Sequence, residues 1–331
     1  MYDLYGLGNA LVDMEYTIDD GFLRSNNIAK GHMTLVDEPK LLSLIDSLDA
    51  LTPSRFSGGS AANSIIASQS MGSRCFYSCK VGDDDTGAFF LDDMRECGVA
   101  LNDNAAEAGD KRHSGRCLVL ITPDAERSMN TFLGISSELS PSQVDSQALN
   151  DARYFYVEGY LSSSETALNA AIECREQADA HQVKTCVSLS DPSMVEFFGD
   201  NLKKMLGNGV NVIFCNEEEA LTLTGTDRLD VACNELVDMA REVHITLGAK
   251  GSLWSNGKTT KSVQGFSAKA VDTTGAGDIF AGACLHGMIS GMDPATAASL
   301  GNYAASILVS QYGARLRSSA DYQKLLRSFT P

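Results

Sequence analysis

The sequence predicts an α/β protein built on a mainly parallel sheet, with a second and smaller sheet beside it. Three observations carry this. Short strand-like runs alternate with helix-period segments along most of the chain. Two regions break that rhythm with strands that have no clear crossover helix. The length, 331 residues at 44% apolar, suffices for one large or two ordinary domains with a sizeable core.

Taken in order, the first strand is "LYGLG", Leu4–Gly8. Its "GLGN" invites a dinucleotide-binding reading, but the third glycine of that pattern is Leu11 and no helix signal follows, so hydride transfer is set aside. "LVDMEYTI" (Leu11–Ile18) and "HMTLVD" (His32–Asp37) read as strands. "GRCLVLITPDAERSMNTFLG" (Gly115–Gly134) reads as a hairpin turning at Pro123–Asp124–Ala125–Glu126. These strands can form the small second sheet. The rhythm resumes with "RYFYVEG" (Arg153–Gly159), "KTCVSLSD" (Lys184–Asp191), "NVIFCN" (Asn211–Asn216) and "HITLGAKG" (His244–Gly251). Between the first two lies "SETALNAAIECREQADAHQ" (Ser164–Gln182), where Ala167, Leu168, Ala171, Ile172 and Ala178 share a helix face. "SLWSNGKTTKSV" (Ser252–Val263) reads as a hairpin, with Asn256-Gly257 suited to a type I′ turn.

Bulk properties exclude several function classes. A net charge of −17 argues against nucleic acid and against anionic membrane surfaces as partners. No apolar run approaches the ~18 residues of a membrane span, and the start "MYDLYGLGNALVD" lacks the basic-then-apolar layout of a secretory signal. Nine cysteines without a Cys-x-x-Cys pair read as reduced thiols of a cytoplasmic protein. Neither a Gly-x-x-x-x-Gly-Lys-Ser/Thr loop nor a His-Arg-Asp catalytic loop occurs.

The chemistry concentrates in "AVDTTGAGDIFAGACLHGM", Ala270–Met288. After Asp278, apolar residues recur with helical spacing at Ile279, Phe280, Ala283, Cys284, Gly287 and Met288, which predicts a buried helix. Gly275, Ala276 and Gly277 therefore open a helix. Small side chains let a ligand approach the backbone, and the free N–H groups of a helix start carry roughly half a positive charge. This is an anion seat made without Lys or Arg. A carboxylate beside it would repel a phosphate unless it has a task. The task that fits Asp278 is to hold and deprotonate a hydroxyl while the seat stabilises charge on a transferring phosphoryl group. The helix start is expected to keep Asp278 ionised.

With these residues in view, "DTTGAGDIF" (Asp272–Phe280) resembles the C-terminal signature of the ribokinase-like, or PfkB, carbohydrate kinase family. "GGSAANSIIASQSMG" (Gly58–Gly72) followed by "KVGDDDTG" (Lys80–Gly87) resembles its N-terminal signature. Ile65 and Cys79 depart from the pattern, as packing changes. The resemblance implies a three-layer α/β/α ribokinase-like core and a small β-sheet lid. It divides the chain into a nucleotide-binding core over residues 1–12, 38–98 and 135–331 and a discontinuous lid over 13–37 and 99–134. It implies transfer of the ATP γ-phosphoryl group to a primary hydroxyl, with Mg²⁺ and, in many members, K⁺. Carried over residue by residue, Asp278 is the base and the amides of Gly275, Ala276 and Gly277 form the anion hole. Asp13, Gly58, Gly59 and Asn63 bind the acceptor. Asn216 and Glu219 of "NEEEA" organise phosphates and Mg²⁺, Glu219 through water. Thr246, Gly248 and Gly251 of "TLGAKG" contact the nucleotide, and Asn302 sits near the adenine. Asp191 follows a strand and is either a neighbour of the metal or an ordinary strand-end acid.

"GHMTLVDE" (Gly31–Glu38) and "ERSMNTFLG" (Glu126–Gly134) resemble the adenosine-kinase-like branch of that family. There Met33, Met129, Thr131, Phe132 and Leu133 either present an apolar face to a nucleobase or pack the lid sheet. A nucleoside acceptor is the leading expectation, a free sugar (ribokinase or fructokinase type) the runner-up, and an inactive binding protein on the same fold the third. Against a protein this acidic, the helix start, Lys250 and Mg²⁺ are the candidates that compensate a polyphosphate's charge. Exposed lid edges suggest a homodimer through the lid.

Overall fold

A computed structural model describes residues 1–106, 109–124 and 126–330. Its larger sheet holds nine strands among the described residues. In chain order they are β1 (Tyr2–Leu7), β5 (Cys75–Ser78), β6 (Ala100–Leu101), β9 (Ala152–Glu158), β10 (Lys184–Ser188), β11 (Val210–Asn216), β12 (Ala240–Thr246), β13 (Gly251–Ser255) and β14 (Thr260–Gln264). Across the sheet the order is β14-β13-β12-β11-β10-β9-β1-β5-β6, parallel except for β13 and β14. The smaller sheet holds β2 (Leu11–Thr17), β3 (Met33–Leu35), β4 (Ser54–Gly58), β7 (Gly115–Ile121) and β8 (Arg127–Phe132), in the order β3-β8-β7-β2-β4.

Helices cover both faces of the large sheet, as the alternation of its strands requires. Phe155 and Val157 point into one core, shared with helices Glu165–Ala180, Pro192–Leu206 and Leu229–Met239. Tyr154 and Tyr156, between them in sequence, point into the other, shared with helices Ser60–Met71, Asp85–Glu96 and Ala276–Ile289. This is a three-layer α/β/α core with a small sheet beside it. Helix Glu165–Ala180 starts where its sequence says it should, with the Ser164 hydroxyl capping Ala167 N.

Three expectations need correction. Residues 38–58, expected in the core, carry helix Glu38–Ser47 and strand β4, and both belong with the small sheet. Leu41, Leu44 and Leu48 bury against Tyr16, Leu118 and Leu120, and β4 pairs antiparallel with β2. Leu11 and Val12 likewise lie in the small sheet, whereas Ala100 and Leu101 join the large one. The hairpin Ser252–Val263 has no type I′ turn, because Gly257 takes a positive φ of 77° and Asn256 does not. Asn256 Oδ1 instead accepts from Lys258 N and Thr259 N, closing a longer loop. The β7–β8 hairpin forms, but Ala125 of its expected turn lies outside the described residues.

The departures at Ile65 and Cys79 are matters of packing. Ile65 is fully buried against Gly6, where any Cβ would stand 2.6 Å from its Cγ1. All nine cysteines are free thiols, and all but Cys97 are buried. Among the described residues no helix is long and apolar enough to cross a membrane.

Candidate active site

The strand order reverses at β1. The chain runs from β1 out to β5 and β6, then returns to β9 on the other side. In an open parallel sheet this switch point leaves a crevice at the carboxyl ends of the strands, where ligands bind. A cavity of about 1220 Å³ lies there, between the sheet and the lid. Its walls take Asn9 beyond β1, Glu158 at the end of β9, Ser190 and Asp191 beyond β10, Asn216 at the end of β11 and Thr246 at the end of β12. At the switch point itself Glu158 accepts from Asn9 N (2.7 Å), Asn9 Nδ2 (2.9 Å) and Ala61 N (2.7 Å).

Two helices start on opposite sides of one end of this cavity. Ala276–Ile289 begins after Gly275, whose φ of 74° is left-handed and whose Cβ, if present, would stand 2.2 Å from the Ala314 carbonyl oxygen. Of the turn's amides, Ala276 N already donates to Thr273 O at 3.2 Å. Gly275, Gly277 and Asp278 keep N–H groups without a partner among the described residues, so of the three amides expected to seat an anion, Gly275 and Gly277 are free and Ala276 is engaged, with Asp278 N free beside them. A Cβ on Gly277 would meet nothing within 4 Å, which leaves that position open to the cavity. Ser60–Met71 begins opposite. Ser60 Oγ donates to Asp278 Oδ1 at 2.7 Å and Asn63 Nδ2 to Asp278 Oδ2 at 3.0 Å.

Burial raises Asp278 to about 6, and the bonds from Ser60 and Asn63 restrain that rise. With a value of about 6, Asp278 remains mostly ionised at neutral pH. Burial also lifts Asp13 to about 7, opposed by the charge of Arg315. The Asp13 carboxylate accepts no hydrogen bond from the described residues and lines the cavity. Gly58 lies behind it, where a Cβ would stand 2.5 Å from Asp13 Oδ2. Strand alternation then decides the lid face. Leu11, Met33, Cys117, Met129, Thr131 and Leu133 line the cavity, whereas Phe132 turns to the opposite side, against the lid helices. The expected apolar face is present without Phe132.

At the far end Asn216 caps helix Glu217–Thr224 by a reciprocal box with Glu219. Asn216 N and Nδ2 donate to the two Glu219 oxygens (3.0 and 2.7 Å), and Glu219 N donates to Asn216 Oδ1 (2.8 Å). Glu219 is 4% exposed, and burial lifts it to about 7. With both oxygens engaged, it suits a hydrated ion better than direct ligation. Asp191, Glu217, Glu218 and Asp227 also line this end. No Lys, Arg or His lines the cavity among the described residues, Lys250 included. Among the described residues no three of these acids converge as a ready-made metal site, so they offer oxygens of the type a hard divalent cation takes without a preformed cage.

The cavity thus brings together Asp13, Gly59, Asn63, Met129, Thr131, Asn216, Glu219, Thr246, Gly248 and Gly275–Asp278. Two expected nucleotide contacts lie elsewhere. Gly251 is buried at the start of β13, where a Cβ would stand 2.2 Å from Val263 O, so the glycine serves strand packing. Asn302 is 7% exposed and donates to Val263 O and Gln264 O (3.1 and 3.3 Å), holding the end of β14. Sequence reasoning missed Asn9, Ser60 and Glu158. A lone acid ending the apolar run "RYFYVE" was the signal for Glu158.

Residues 37–321 match the pfkB family carbohydrate kinase profile. The chain belongs to that family. It is a carbohydrate or nucleoside kinase, a phosphotransferase that acts on a hydroxyl group of a small molecule. The structure is similar to "The crystal structure of adenosine kinase from Sinorhizobium meliloti", with a TM-score of 0.88 and 34% identity over 98% of each chain. It is equally similar to a probable sugar kinase from Rhizobium etli, with a TM-score of 0.88 and 31% identity over 98% of each chain. The adenosine kinase of Saccharomyces cerevisiae is 26% identical over 328 residues, covering 93% of this chain and 94% of that protein. For kinases of this family ATP and a divalent metal are the general requirement.

Proposed function

We propose that this pfkB-family kinase transfers the γ-phosphoryl group of ATP to the primary hydroxyl of a nucleoside of adenosine type. One observation carries the reading. The Asp278 carboxylate and the unpartnered amides of Gly275, Gly277 and Asp278 meet in the same cavity as Asp13, under a lid face of Met33, Met129 and Leu133. Asp13, which accepts no hydrogen bond from the described residues, accepts from the ribose hydroxyls, and Asn63 and the backbone at Gly59 border the same end. Apolar lid side chains cover the base, whose flat face loses little on leaving water.

Ser60 and Asn63 hold the Asp278 carboxylate toward the acceptor hydroxyl. Asp278 orients that hydroxyl and takes its proton late, as the bond to phosphorus forms. The three amides stabilise charge on the transferring group without reorganising. A divalent ion, Mg²⁺ in this reading, supplies neutralisation of the phosphates. Asp191, Glu217 and Glu218, which line that end, would offer oxygens to its hydration shell, and Glu219 would act on it through water. K⁺ is included as an activator. Thr246 and Gly248 border the nucleotide. We extend the reading to a homodimer through the lid edges and to the cytoplasm, where free thiols stay reduced.

The free-sugar reading keeps one observation on its side. The floor of the acceptor end is polar, with Asn9 and Glu158 beside Asp13. A panel of nucleosides and sugars, with ATP and Mg²⁺, separates the two by ADP release and product mass. Adenosine should exceed ribose and fructose in kcat/KM by ~10⁴-fold if a buried apolar face and paired polar groups both select it. Turnover of free sugars alone would move the assignment to the runner-up. No turnover with any acceptor would favour an inactive binding protein.

A further inference from the structure

Three consecutive residues of the loop after helix Pro294–Leu308 touch both halves of the site. Gly313 N donates to Asp272 Oδ2 at 2.8 Å, anchoring the loop to the residue that opens the glycine turn. The Ala314 backbone lies against Gly275 so closely that no Cβ fits between them. Arg315 points the other way. Its Nη2 donates to Asp93 Oδ2 at 2.5 Å and its Nη1 to Ser57 Oγ at 3.0 Å, and its guanidinium stands 5.7 Å from the centre of the Phe56 ring. Asp93 also accepts from Ser57 N at 2.8 Å. Ser57 is the lid residue before Gly58, which backs Asp13.

Arg315 does not line the cavity and contributes no group to the reacting atoms. We infer that Arg315 is a positioning residue. It fixes lid strand β4, and with it the Asp13 side of the acceptor site, relative to the amide turn Thr273–Gly277. The inference rests on the kinase reading of the cavity. Three features suit Arg315 to this task. A guanidinium is a planar fork that holds two acceptors in a fixed relation, which a lysine point charge does not. The side chain is 12% exposed, so water does little to loosen the pair. The covalent path from Arg315 to the contact on Gly275 is one residue long, so a shift of β4 is felt at the turn. Phosphoryl transfer is sensitive to such a shift, since a displacement of ~1 Å costs about 10²-fold in rate.

The test uses the full chain with Arg315→Met, Arg315→Lys and the double variant Arg315→Met with Asp93→Asn. The double variant leaves no lone carboxylate buried, so it reads the linkage even where Arg315→Met alone does not fold. Two readouts are taken. Hydrogen exchange without ligand should quicken in peptides covering both 54–58 and 273–278 in the folded variants. Steady-state kinetics with the acceptor that the native chain phosphorylates should show kcat/KM for acceptor lowered by about 10-fold or more, with the KM for ATP nearly unchanged and no rescue by lysine. Faster exchange confined to 54–58 overturns the inference. So does a double variant with native kinetics, because Arg315 would then serve only to neutralise Asp93. Hydrogen exchange needs no turnover. A chain that phosphorylates nothing while both segments loosen together would sink the functional reading and leave the linkage standing.

Discussion

Asn63 reaches Asp278 across 3.0 Å and joins the starts of two helices that lie 215 residues apart in sequence. The amide is itself 5% exposed, and its Oδ1 has no partner among the described residues, so its orientation is fixed by this one bond. Two glycine-flanked motifs that look independent in the sequence therefore form one object. One supplies the orienting donors, Ser60 and Asn63. The other supplies the carboxylate and the amides.

Replacing Asp278 by Asn should lower kcat by about 10² or more while ATP still binds, the range for a positioned acid–base group. Isothermal titration with nucleotide and steady-state assays separate the two effects. Near-native kcat would remove Asp278 from the mechanism. In the native chain kcat should fall as pH drops through about 6, because the base is lost on protonation. Ser60→Ala removes a bond that stabilises the carboxylate and should move that midpoint upward.

Gly275 and Gly277 should respond differently to alanine. At Gly275 the added Cβ meets the Ala314 backbone and a positive φ, so the turn must move, and both melting temperature and kcat should drop. At Gly277 the Cβ meets only open cavity, so the free protein should melt as before while affinity for ATP falls. Equal melting and equal nucleotide affinity in the two variants would show that the turn does not receive the phosphates.

Asp13→Ala should weaken acceptor binding far more than ATP binding, since Asp13 sits on the lid side of the cavity and accepts no hydrogen bond from the described residues. The ratio of the two KM changes is the measurement. Equal changes would place Asp13 outside the acceptor site.

The ligand-free protein should become more stable as pH falls from 8 to 6. Asp13, Glu158 and Glu219 hold protons up to about 7 and Asp278 to about 6 when folded, whereas ordinary carboxylates release them near 4. The folded state therefore binds more protons than the unfolded state over that interval, and unfolding is favoured as pH rises through it. Below pH 6.5 the buried His244, pushed down to about 3, pulls the other way and should flatten the curve. Melting temperatures across this range give the sign, and a steady rise from pH 6 to 8 would contradict it.

Much of this was legible in the sequence. Strand and helix periods placed the parallel sheet, and glycines next to a helix pattern marked the amide turn. What escaped depended on contacts that spacing does not encode. Gly251 and Gly275 look alike as letters, yet one admits a neighbouring strand and the other borders the cavity. Asn302 reads as a free amide until the end of β14 claims it. Phe132 differs from Thr131 by one residue, which in a strand means opposite faces. The lid boundary taken from the family resemblance leaves helix Glu38–Ser47 on the wrong side, since its apolar face would suit either sheet. Only the partners of Leu41 and Leu44 reveal which sheet it covers.

A cavity lined by eight acidic side chains, Asp13, Glu158, Asp191, Glu217, Glu218, Glu219, Asp227 and Asp278, keeps a net negative field at neutral pH even with Asp13, Glu158 and Glu219 part-protonated, and within a chain of net charge −17 it repels a tetra-anion from afar. Screening acts over about 10 Å at 0.1 M salt. Raising ionic strength should therefore hasten nucleotide capture here, the reverse of what a lysine-lined phosphate site shows.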